Sequence, residues 1–422
     1  MARITMIGFG TRGDAQPAIA VGKGLQAAGH AVRLLASANF KEWIAEHGLE
    51  PAEASVDIQS MMESEGGQEW VERGHNPLVQ TRIMKRLFAR EGWVMMMDAW
   101  RASQDADLLI SSFTSDVFAV SIAEKLGIRQ VSMVGQPALV ATRNGRALPN
   151  APLPNRVSIV NYLFSKLLIE PYGWRMVGEM SNRFREEVLG LPPQSGRENT
   201  AARKRMLTLM GYSPHVVPHP EDWPAHFHTT GYWFLEEEDD WEPPEGVQAF
   251  LAEGERPISV GFGSMTGRDP RGMTELVATA VARSGVRAVV LSGWAGLGEM
   301  ELPASIYCLK RAPHGWLFPQ VAAVVHHGGA GTTAAGLRAG APTVVVPHFA
   351  DQPFWGRRVQ ALGVGPEPVP RHKLTADKLA KAIREAVTDD RMQRRAEALA
   401  AKIGEEDGVG TAVGLINGWI GE

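Results

Sequence analysis

The chain has 422 residues, 44% of them hydrophobic and 21% charged, which excludes wholesale disorder and a fibrous repeat and predicts two or three domains. The 43 Lys and Arg residues against 47 Asp and Glu residues give a net charge of -4. We therefore expect no nucleic-acid partner, at most peripheral contact with a membrane, and a ligand bound in a cleft.

The N-terminal segment predicts a strand, a loop, a helix and a second strand. Arg3 to Ile7 is a β-prone run that ends in glycines, and 31–36 is another apolar run. The helical pattern between them has Asp14 where it can cap the helix and Pro17 in the first turn. The apolar run in 1–8 is too short for a signal peptide, so we expect a cytoplasmic protein.

Strands and helices continue to alternate after this unit. Segments 108–110 and 129–134 predict buried strands, and 117–126 predicts the helix between them. This alternation is typical of a mostly parallel sheet with helices on both faces. The region 140–235, which includes an amphipathic segment at 175–189, is expected to decorate this first domain.

An acidic stretch with two prolines, 236–245, predicts a linker. It separates an N-terminal domain, 1–235, from a C-terminal domain, 246–422, whose last helix can pack back on the first domain. Apolar runs predict strands of the second domain at 257–260, 286–291, 306–309, 322–325 and 343–346. The single cysteine, Cys308, lies in one of them and is expected to be a buried, inert thiol.

Gly8, Gly10 and Gly13 match the dinucleotide motif G-x-G-x-x-G between a strand and a helix. The next predicted strand, however, ends without an Asp or Glu for a ribose hydroxyl. Asp14 would also compete with a pyrophosphate for the N-terminus of the helix. An NAD(P)-dependent oxidoreductase is therefore only a secondary alternative, and a helix cap is the alternative role of Asp14.

A second glycine cluster follows the predicted strand 322–325. In His326-His327-Gly328-Gly329-Ala330-Gly331-Thr332-Thr333, small residues allow backbone N–H groups to surround an anion at a helix N-terminus. No lysine precedes the hydroxyl residues, so this is not a Walker loop. Adjacent strand residues point to opposite faces, so the two histidines do not predict a metal site. We expect His327 to bind phosphate and His326 to be structural.

Asp351 and Gln352 follow the predicted strand 343–346. Ligands of parallel sheets bind at the carboxyl ends of strands, and an acid beside an amide suits vicinal sugar hydroxyls. A turn with capping residues is the alternative interpretation.

These segments together resemble the inverting UDP-glycosyltransferase superfamily, and most of all its sterol glucosyltransferases and the bacterial enzymes that glycosylate antibiotic aglycones. The resemblance rests on Arg311-Ala312-Pro313-His314-Gly315-Trp316-Leu317-Phe318-Pro319, on the cluster at 326–333, on Asp351-Gln352-Pro353-Phe354-Trp355-Gly356, and on Gly10-Thr11-Arg12-Gly13-Asp14-Ala15-Gln16-Pro17. It implies the GT-B fold, in which two Rossmann-like domains with mostly parallel sheets face each other across a cleft.

The resemblance implies that the second domain binds the nucleotide sugar. The diphosphate would contact Ser264, His327, Gly329, Gly331, Thr332 and Thr333. The nucleoside would lie near Ala312 and His314, with Trp316 beside the uracil or, as an alternative, serving as a core aromatic. Asp351 and Gln352 would hold the sugar hydroxyls, and Gln352 favours glucose. No metal and no other cofactor is expected.

The resemblance also implies that the first domain binds the acceptor. Asp14 stands where related plant enzymes carry a base histidine, and Phe113 stands where they carry a second carboxylate. Asp116 is the carboxylate near that position which could assist Asp14. The acceptor loop would comprise Gly10, Thr11, Arg12 and Gly13.

The sulfur-rich segment with Trp93, Met96 and Met97 predicts an apolar acceptor pocket, with core packing as the alternative. The predicted reaction is an inverting transfer of a hexose from a UDP-sugar to a lipophilic alcohol such as a sterol, polyketide or flavonoid, with Asp14 as general base. A sugar-nucleotide epimerase on the same fold is the main alternative.

Overall fold

The computed structural model describes residues 1–148, 156–235, 241–265, 267–293, 296–298 and 300–421. It divides into two compact units. Unit 1 comprises Met1–Gln59, Thr81–Leu235 and Glu406–Glu422, and unit 2 comprises Ser60–Gln80 and Glu236–Glu405. Part of the predicted linker, 236–240, lies outside the described residues, and a helix begins at Glu245.

Unit 1 is built on a seven-stranded parallel sheet with the order β3-β2-β1-β4-β5-β6-β7. Its strands are β1 (Arg3–Ile7), β2 (Ala31–Leu35), β3 (Glu50–Pro51), β4 (Leu108–Ser112), β5 (Arg129–Val134), β6 (Leu207–Met210) and β7 (Phe227–Thr229). The central strand β1 pairs with both β2 and β4, and its inner residues are buried because helices cover both faces.

Unit 2 is built on a five-stranded parallel sheet with the order β10-β9-β8-β11-β12. Its strands are β8 (Ile258–Gly261), β9 (Ala288–Leu291), β10 (Ile306–Leu309), β11 (Val324–His326) and β12 (Thr343–Val345). Valines and alanines from β8, β9, β11 and β12 are buried, as expected for strands that helices cover on both faces. The predicted fold class, two Rossmann-like units with parallel sheets, is confirmed.

The helices surround both sheets. They are α1 (Arg12–Ala27), α2 (Lys41–Glu46), α3 (Ile58–Glu63), α4 (Glu65–Arg73), α5 (Pro77–Ala102), α6 (Asp116–Leu126), α7 (Ile159–Phe164), α8 (Tyr172–Phe184), α9 (Gly196–Arg203), α10 (Glu245–Ala252), α11 (Pro270–Ser284), α12 (His314–Leu317), α13 (Ala330–Arg338), α14 (Gln352–Leu362), α15 (Ala376–Thr388), α16 (Asp390–Gly404) and α17 (Gly408–Gly421). Among the described residues, no helix is long and apolar enough to cross a lipid bilayer.

The chain passes between the units in places that the linker prediction did not include. Residues 60–80 pack with unit 2, and 406–422 pack with unit 1. Helix α17 lies so close to α1 that a methyl group on Gly24 would be 2.9 Å from the side chains of Val409 and Val413. The absence of a Cβ atom at Gly24 therefore permits this contact.

Two expectations about local structure are wrong. The region 140–235 does not merely decorate unit 1, because β6 and β7 extend its sheet. Cys308 is not buried but exposed. Its strand, β10, is the edge of the sheet, and only Ile306 and Leu309 of that strand are buried. The apolar composition of the strand did not reveal its edge position.

Candidate functional site

Asp14 lies in the first turn of α1, directly after the loop that leaves β1. Its Oδ2 accepts hydrogen bonds from the Thr11 backbone N–H at 2.8 Å and from the Thr11 hydroxyl at 3.4 Å. Thr11 is the N-cap and Asp14 the third helical residue of a capping box. The side chain is exposed, so the cap fixes its orientation and leaves it accessible to a ligand.

Gly10 provides the space that the Asp14 carboxylate occupies. A methyl group on Gly10 would lie 2.1 Å from Asp14 Oδ2. Two hydroxyl groups from the loop after β4 hold the loop after β1. Thr114 donates to Phe9 O at 3.0 Å, and Ser115 donates to Ile7 O at 3.2 Å. The loops after β1 and β4 are therefore fastened together beside Asp14.

Asp116 is engaged in a buried network at the end of β4. Its carboxylate accepts hydrogen bonds from the Ser111 hydroxyl at 2.5 Å and from the Ser132 hydroxyl at 2.7 Å. Burial raises the pKa of Asp116 to about 6. Phe113, in the same loop, is 38% exposed. Both carboxylate oxygens of Asp116 are therefore held by buried serine hydroxyls. Phe113, in contrast, presents an apolar side chain to solvent.

The raised pKa of Asp116 predicts a pH dependence of stability. The folded protein binds this proton more tightly than the unfolded chain, so the stabilisation is complete below about pH 4 and is lost as the pH rises through about 6. In Asp116→Asn this change is absent. The difference in unfolding free energy, wild type minus variant, should fall by up to about 3 kcal/mol between pH 4 and 7 in denaturant titrations. A difference that stays constant with pH would contradict the assignment.

The predicted acceptor residues have different environments. Arg12 lies over the Trp43 ring at 4.7 Å, a cation–π contact that holds the guanidinium against α2. Trp93 packs edge-on against Phe184, with ring centroids 6.2 Å apart. Met96 is fully buried, whereas Met97 is only partly buried. The core alternative therefore describes Met96, and a pocket would have to involve Trp93 and Met97.

Three loops leave neighbouring strands of unit 2 at the carboxyl edge of its sheet. Ser264 follows β8, His327 follows β11 and Asp351 follows β12, and these strands are adjacent in the order β8-β11-β12. The carboxyl edge of such a sheet is the usual location of a ligand. The strand order therefore collects the predicted donor residues at one edge.

The loop between β11 and α13 has the form of an anion site. Gly328 has φ +89°, and a methyl group there would lie 2.6 Å from Val345 Cγ1 and 3.1 Å from Gln352 O. Gly329 is the N-cap of α13 and Gly331 lies exposed in its first turn. The first N–H groups of a helix have no partner within the helix, and the helix dipole favours a negative charge there.

Thr332 and Thr333, both predicted to contact the diphosphate, differ in burial. Thr332 is partly exposed in the first turn of α13. Thr333 is fully buried, and its hydroxyl donates to Gly329 O at 2.9 Å. Helix α13 therefore turns the Thr333 side chain toward the core, and Thr332 is the threonine of this turn that solvent reaches.

The adjacent histidines of this loop are both neutral. His326 is buried, and its Nδ1 accepts a hydrogen bond from Gly328 N–H at 2.9 Å, so it holds the loop. The His327 ring lies nearly perpendicular to that of His326. The residue is partly buried, and this burial lowers the pKa of His327 to about 4. A methyl group on Gly329 would lie 2.5 Å from His327 Nε2. His327 thus borders the loop as a neutral hydrogen-bonding group.

The loop after β12 fixes Asp351 and Gln352. Asp351 Oδ2 accepts a hydrogen bond from Trp355 Nε1 at 2.7 Å, and burial raises the pKa of Asp351. The side-chain oxygen of Gln352, Oε1, accepts hydrogen bonds from the backbone N–H groups of His348 at 2.8 Å and Phe349 at 3.2 Å. Its amide donates to Met265 Sδ at 3.4 Å. The side-chain carbonyl of Gln352 therefore stabilises the loop. Its NH2 group donates only to a thioether sulfur, a weak acceptor, so this group is suited to exchange its partner for a better acceptor.

The predicted nucleoside residues lie in the short helix α12 or just before it. His314 stacks on Phe318 with ring centroids 4.4 Å apart. Trp316 lies 4.8 Å from the Trp241 ring, and both Trp316 and Ala312 pack against the buried cluster of Leu309, Leu317 and neighbouring residues. Trp316 thus has the contacts that the core alternative requires.

Helix α4 covers the loop after β12, and the sequence does not predict this contact. Trp70 stacks on Phe349, with centroids 4.6 Å apart. Glu72 accepts a hydrogen bond from Arg268 N–H at 3.4 Å, and His75 stacks on His372 at 4.1 Å. No local pattern in the sequence predicts this contact, because Trp70 and Phe349 lie far apart along the chain.

Within the described ranges, no group of three or more His, Cys, Asp or Glu side chains is placed to hold a metal ion.

Two family models match the chain, one in each half. The glycosyltransferase family 28 N-terminal domain matches residues 4–129. The C-terminal domain of proteins like erythromycin biosynthesis protein CIII matches residues 287–407. The first match contains Asp14, and the second contains the loop between β11 and α13 together with Asp351.

Curated relatives align along nearly all of the chain. A sterol 3-beta-glucosyltransferase of Emericella nidulans is 37% identical over 98% of this chain and 30% of its own length. A sterol 3-beta-glucosyltransferase of Arabidopsis thaliana is 35% identical over 97% of this chain and 64% of its own length. The chain thus spans about a third of the fungal relative and less than two thirds of the plant relative.

Solved structures share the fold. The calicheamicin glycosyltransferase CalG4 superposes with a TM-score of 0.71 at 17% identity and covers 100% of this chain and 99% of its own. SsfS6 from Streptomyces sp. SF2575, complexed with thymidine diphosphate, has a TM-score of 0.65 at 20% identity, with 99% of each chain covered.

Proposed function

The chain belongs to the glycosyltransferases that join a family 28 N-terminal domain to an EryCIII-like C-terminal domain, and we propose that it transfers a hexose from a UDP-sugar to a hydroxyl of a lipophilic small molecule. The observation that carries the proposal is the presence on one chain of an oriented, accessible carboxylate, Asp14, and of a glycine loop at the N-terminus of α13 that has the form of an anion site. The names of the sterol 3-beta-glucosyltransferase relatives favour glucose and a sterol-like acceptor.

Asp14 is the general base of the proposed reaction. The acceptor oxygen attacks the anomeric carbon while its proton passes to the Asp14 carboxylate, and the bond from the anomeric carbon to the diphosphate oxygen breaks. One displacement inverts the anomeric centre. A carboxylate is a weak base for an alcohol, so the proton transfer is late and concerted, and it contributes about 10²- to 10⁴-fold to the rate.

Unit 2 stabilises the leaving group. Negative charge develops on the departing UDP, where the first N–H groups of α13 and the neutral His327 donate hydrogen bonds. Ser264 extends this set from the neighbouring loop. We propose that these donors replace a protein-bound metal, so the activity should be retained in the presence of EDTA.

Asp351 and Gln352 bind the sugar hydroxyls in this proposal. The Trp355 hydrogen bond holds the Asp351 carboxylate in one orientation. The Gln352 amide exchanges Met265 Sδ for a sugar oxygen, a better acceptor, while its carbonyl keeps the loop closed. Helix α4 supports this loop from the other side through Trp70 and Phe349.

Nucleotide binding is the direct test of the donor site. UDP at about 100 times its dissociation constant should raise the unfolding free energy by roughly 2.7 kcal/mol, and the same concentration of NADPH should have no effect. Asp14→Asn should be stabilised by UDP as much as the wild type is, because the carboxylate belongs to the acceptor side. Stabilisation by NADPH, with none by UDP or dTDP, would replace the proposal with the oxidoreductase alternative.

A further inference from the structure

Helix α7 and the π-helical turn after it, Ser165–Ile169, expose an apolar face. This face, the 157–168 face, consists of side chains that are between 47% and 72% exposed: Val157, Ile159, Val160, Leu163, Leu167 and Leu168. These six make up most of the exposed large hydrophobic residues among the described part of the chain. A contiguous exposed patch of this kind marks an interaction surface.

The opposite side of the same segment is polar and buried. Asn161, Ser165 and Glu170 are at most 3% exposed. Asn161 Nδ2 donates to Arg143 O at 3.1 Å and to Arg156 O at 2.5 Å. The Ser165 hydroxyl accepts from Thr142 N–H at 3.1 Å, and Glu170 forms ion pairs with Lys166 and Lys204.

This arrangement is the reverse of a normal surface helix, which buries its apolar side. The buried hydrogen bonds and the ion pair with Lys204 prevent the helix from turning, because rotation would move Asn161 away from Arg143 O and Glu170 away from Lys204. The exposure of the 157–168 face is therefore built into the fold.

The charges around this face are positive. Between Glu124 and Glu170 the sequence contains no Asp or Glu. Arg143, Arg146 and Arg156 are exposed, and Lys166 remains 45% exposed although it pairs with Glu170. Asp222, which contacts this region, is occupied by the Thr142 hydroxyl and the Arg143 N–H.

We propose that the 157–168 face docks on the surface of a membrane that contains anionic lipids. An apolar face that enters the headgroup region, together with arginines that bind anionic headgroups, is the combination that holds a peripheral protein on a bilayer. A second copy of the chain fits less well, because two basic rims would repel each other. The proposal goes beyond glycosyl transfer and does not depend on it.

Vesicle sedimentation tests this proposal on the full chain. Wild-type protein should sediment with phosphatidylcholine vesicles that contain 30% phosphatidylglycerol, about tenfold more than with pure phosphatidylcholine, and salt should weaken the binding. The double variant Leu163→Asp/Leu167→Asp should lose about tenfold in affinity, and Arg146→Glu/Arg156→Glu should lose the preference for anionic lipid. The matched control is Leu78→Asp, since Leu78 is 79% exposed but lies in unit 2.

The exposed positions of both leucines make unfolding of the double variant unexpected, and circular dichroism checks it. Equal binding by the wild type and the double variant would overturn the proposal, as would the absence of wild-type binding to anionic vesicles. A wild-type dimer that the double variant converts to a monomer, without vesicle binding, would assign the face to a second copy instead. Failure of glycosyl transfer alone would leave the vesicle result unaffected.

Discussion

Replacement of Asp14 by asparagine is expected to lower kcat by about 10²- to 10⁴-fold, because the amide cannot accept the proton of the acceptor hydroxyl. The amide oxygen can still accept the hydrogen bond that Thr11 N–H donates to Asp14 Oδ2. The cap of α1 is therefore retained, and the unfolding free energy should change by less than about 1 kcal/mol. The affinity for UDP should not change.

The matched control for this variant is Asp389→Asn. Asp389 is also exposed, and it accepts hydrogen bonds from backbone N–H groups at the start of a helix, α16. Its replacement should leave kcat unchanged, although its effect on stability should be similar. Near-wild-type turnover of Asp14→Asn, with normal UDP affinity, would remove Asp14 as the base and leave it as a helix cap.

Gly328→Ala should lower both the stability of the protein and its affinity for UDP. The residue has φ +89°, and the new methyl group would lie 2.6 Å from Val345 Cγ1 and 3.1 Å from Gln352 O. The loop must shift to relieve both the strain and the overlap. We expect a loss of roughly 2–4 kcal/mol in unfolding free energy and at least about a tenfold loss in UDP affinity, since the N–H groups at the start of α13 would be displaced.

Gly285→Ala separates these two effects. Gly285 ends α11 with φ +74°, and a methyl group there would meet no atom within 4 Å. This control should therefore cost about 1 kcal/mol of stability and leave UDP affinity unchanged. Unchanged UDP affinity in Gly328→Ala would show that the loop between β11 and α13 does not bind the diphosphate.

The strands of the two sheets could be predicted because they are short apolar runs that end in glycine or polar residues. All five strands of unit 2 lie at or near their predicted positions, and so do β1, β2, β4 and β5 of unit 1. The strands β3, β6 and β7 were missed because their sequences, Glu-Pro, Leu-Thr-Leu-Met and Phe-His-Thr, are not uninterrupted apolar runs. Strands of similar length in unit 2 could be predicted because they lie within longer apolar runs.

The positions of candidate site residues at strand ends could also be predicted, but their contacts could not. The sequence placed Gln352 beside Asp351, yet only the structure places the Gln352 carbonyl on the backbone of His348. The burial of Thr333 depends on the direction of α13. The stack of Trp70 on Phe349 joins residues far apart along the chain, and such contacts leave no local pattern.

The central claim is hexose transfer to a lipophilic alcohol, and product formation tests it most directly. The wild-type protein, incubated with UDP-glucose and a mixture of sterol, polyketide and flavonoid acceptors, is followed by mass spectrometry. We predict that an acceptor gains one hexose, that UDP is released in equal amount, and that Asp14→Asn forms about 10²- to 10⁴-fold less product. Release of an epimerised sugar without any acceptor, or transfer only to free small sugars, would contradict the account.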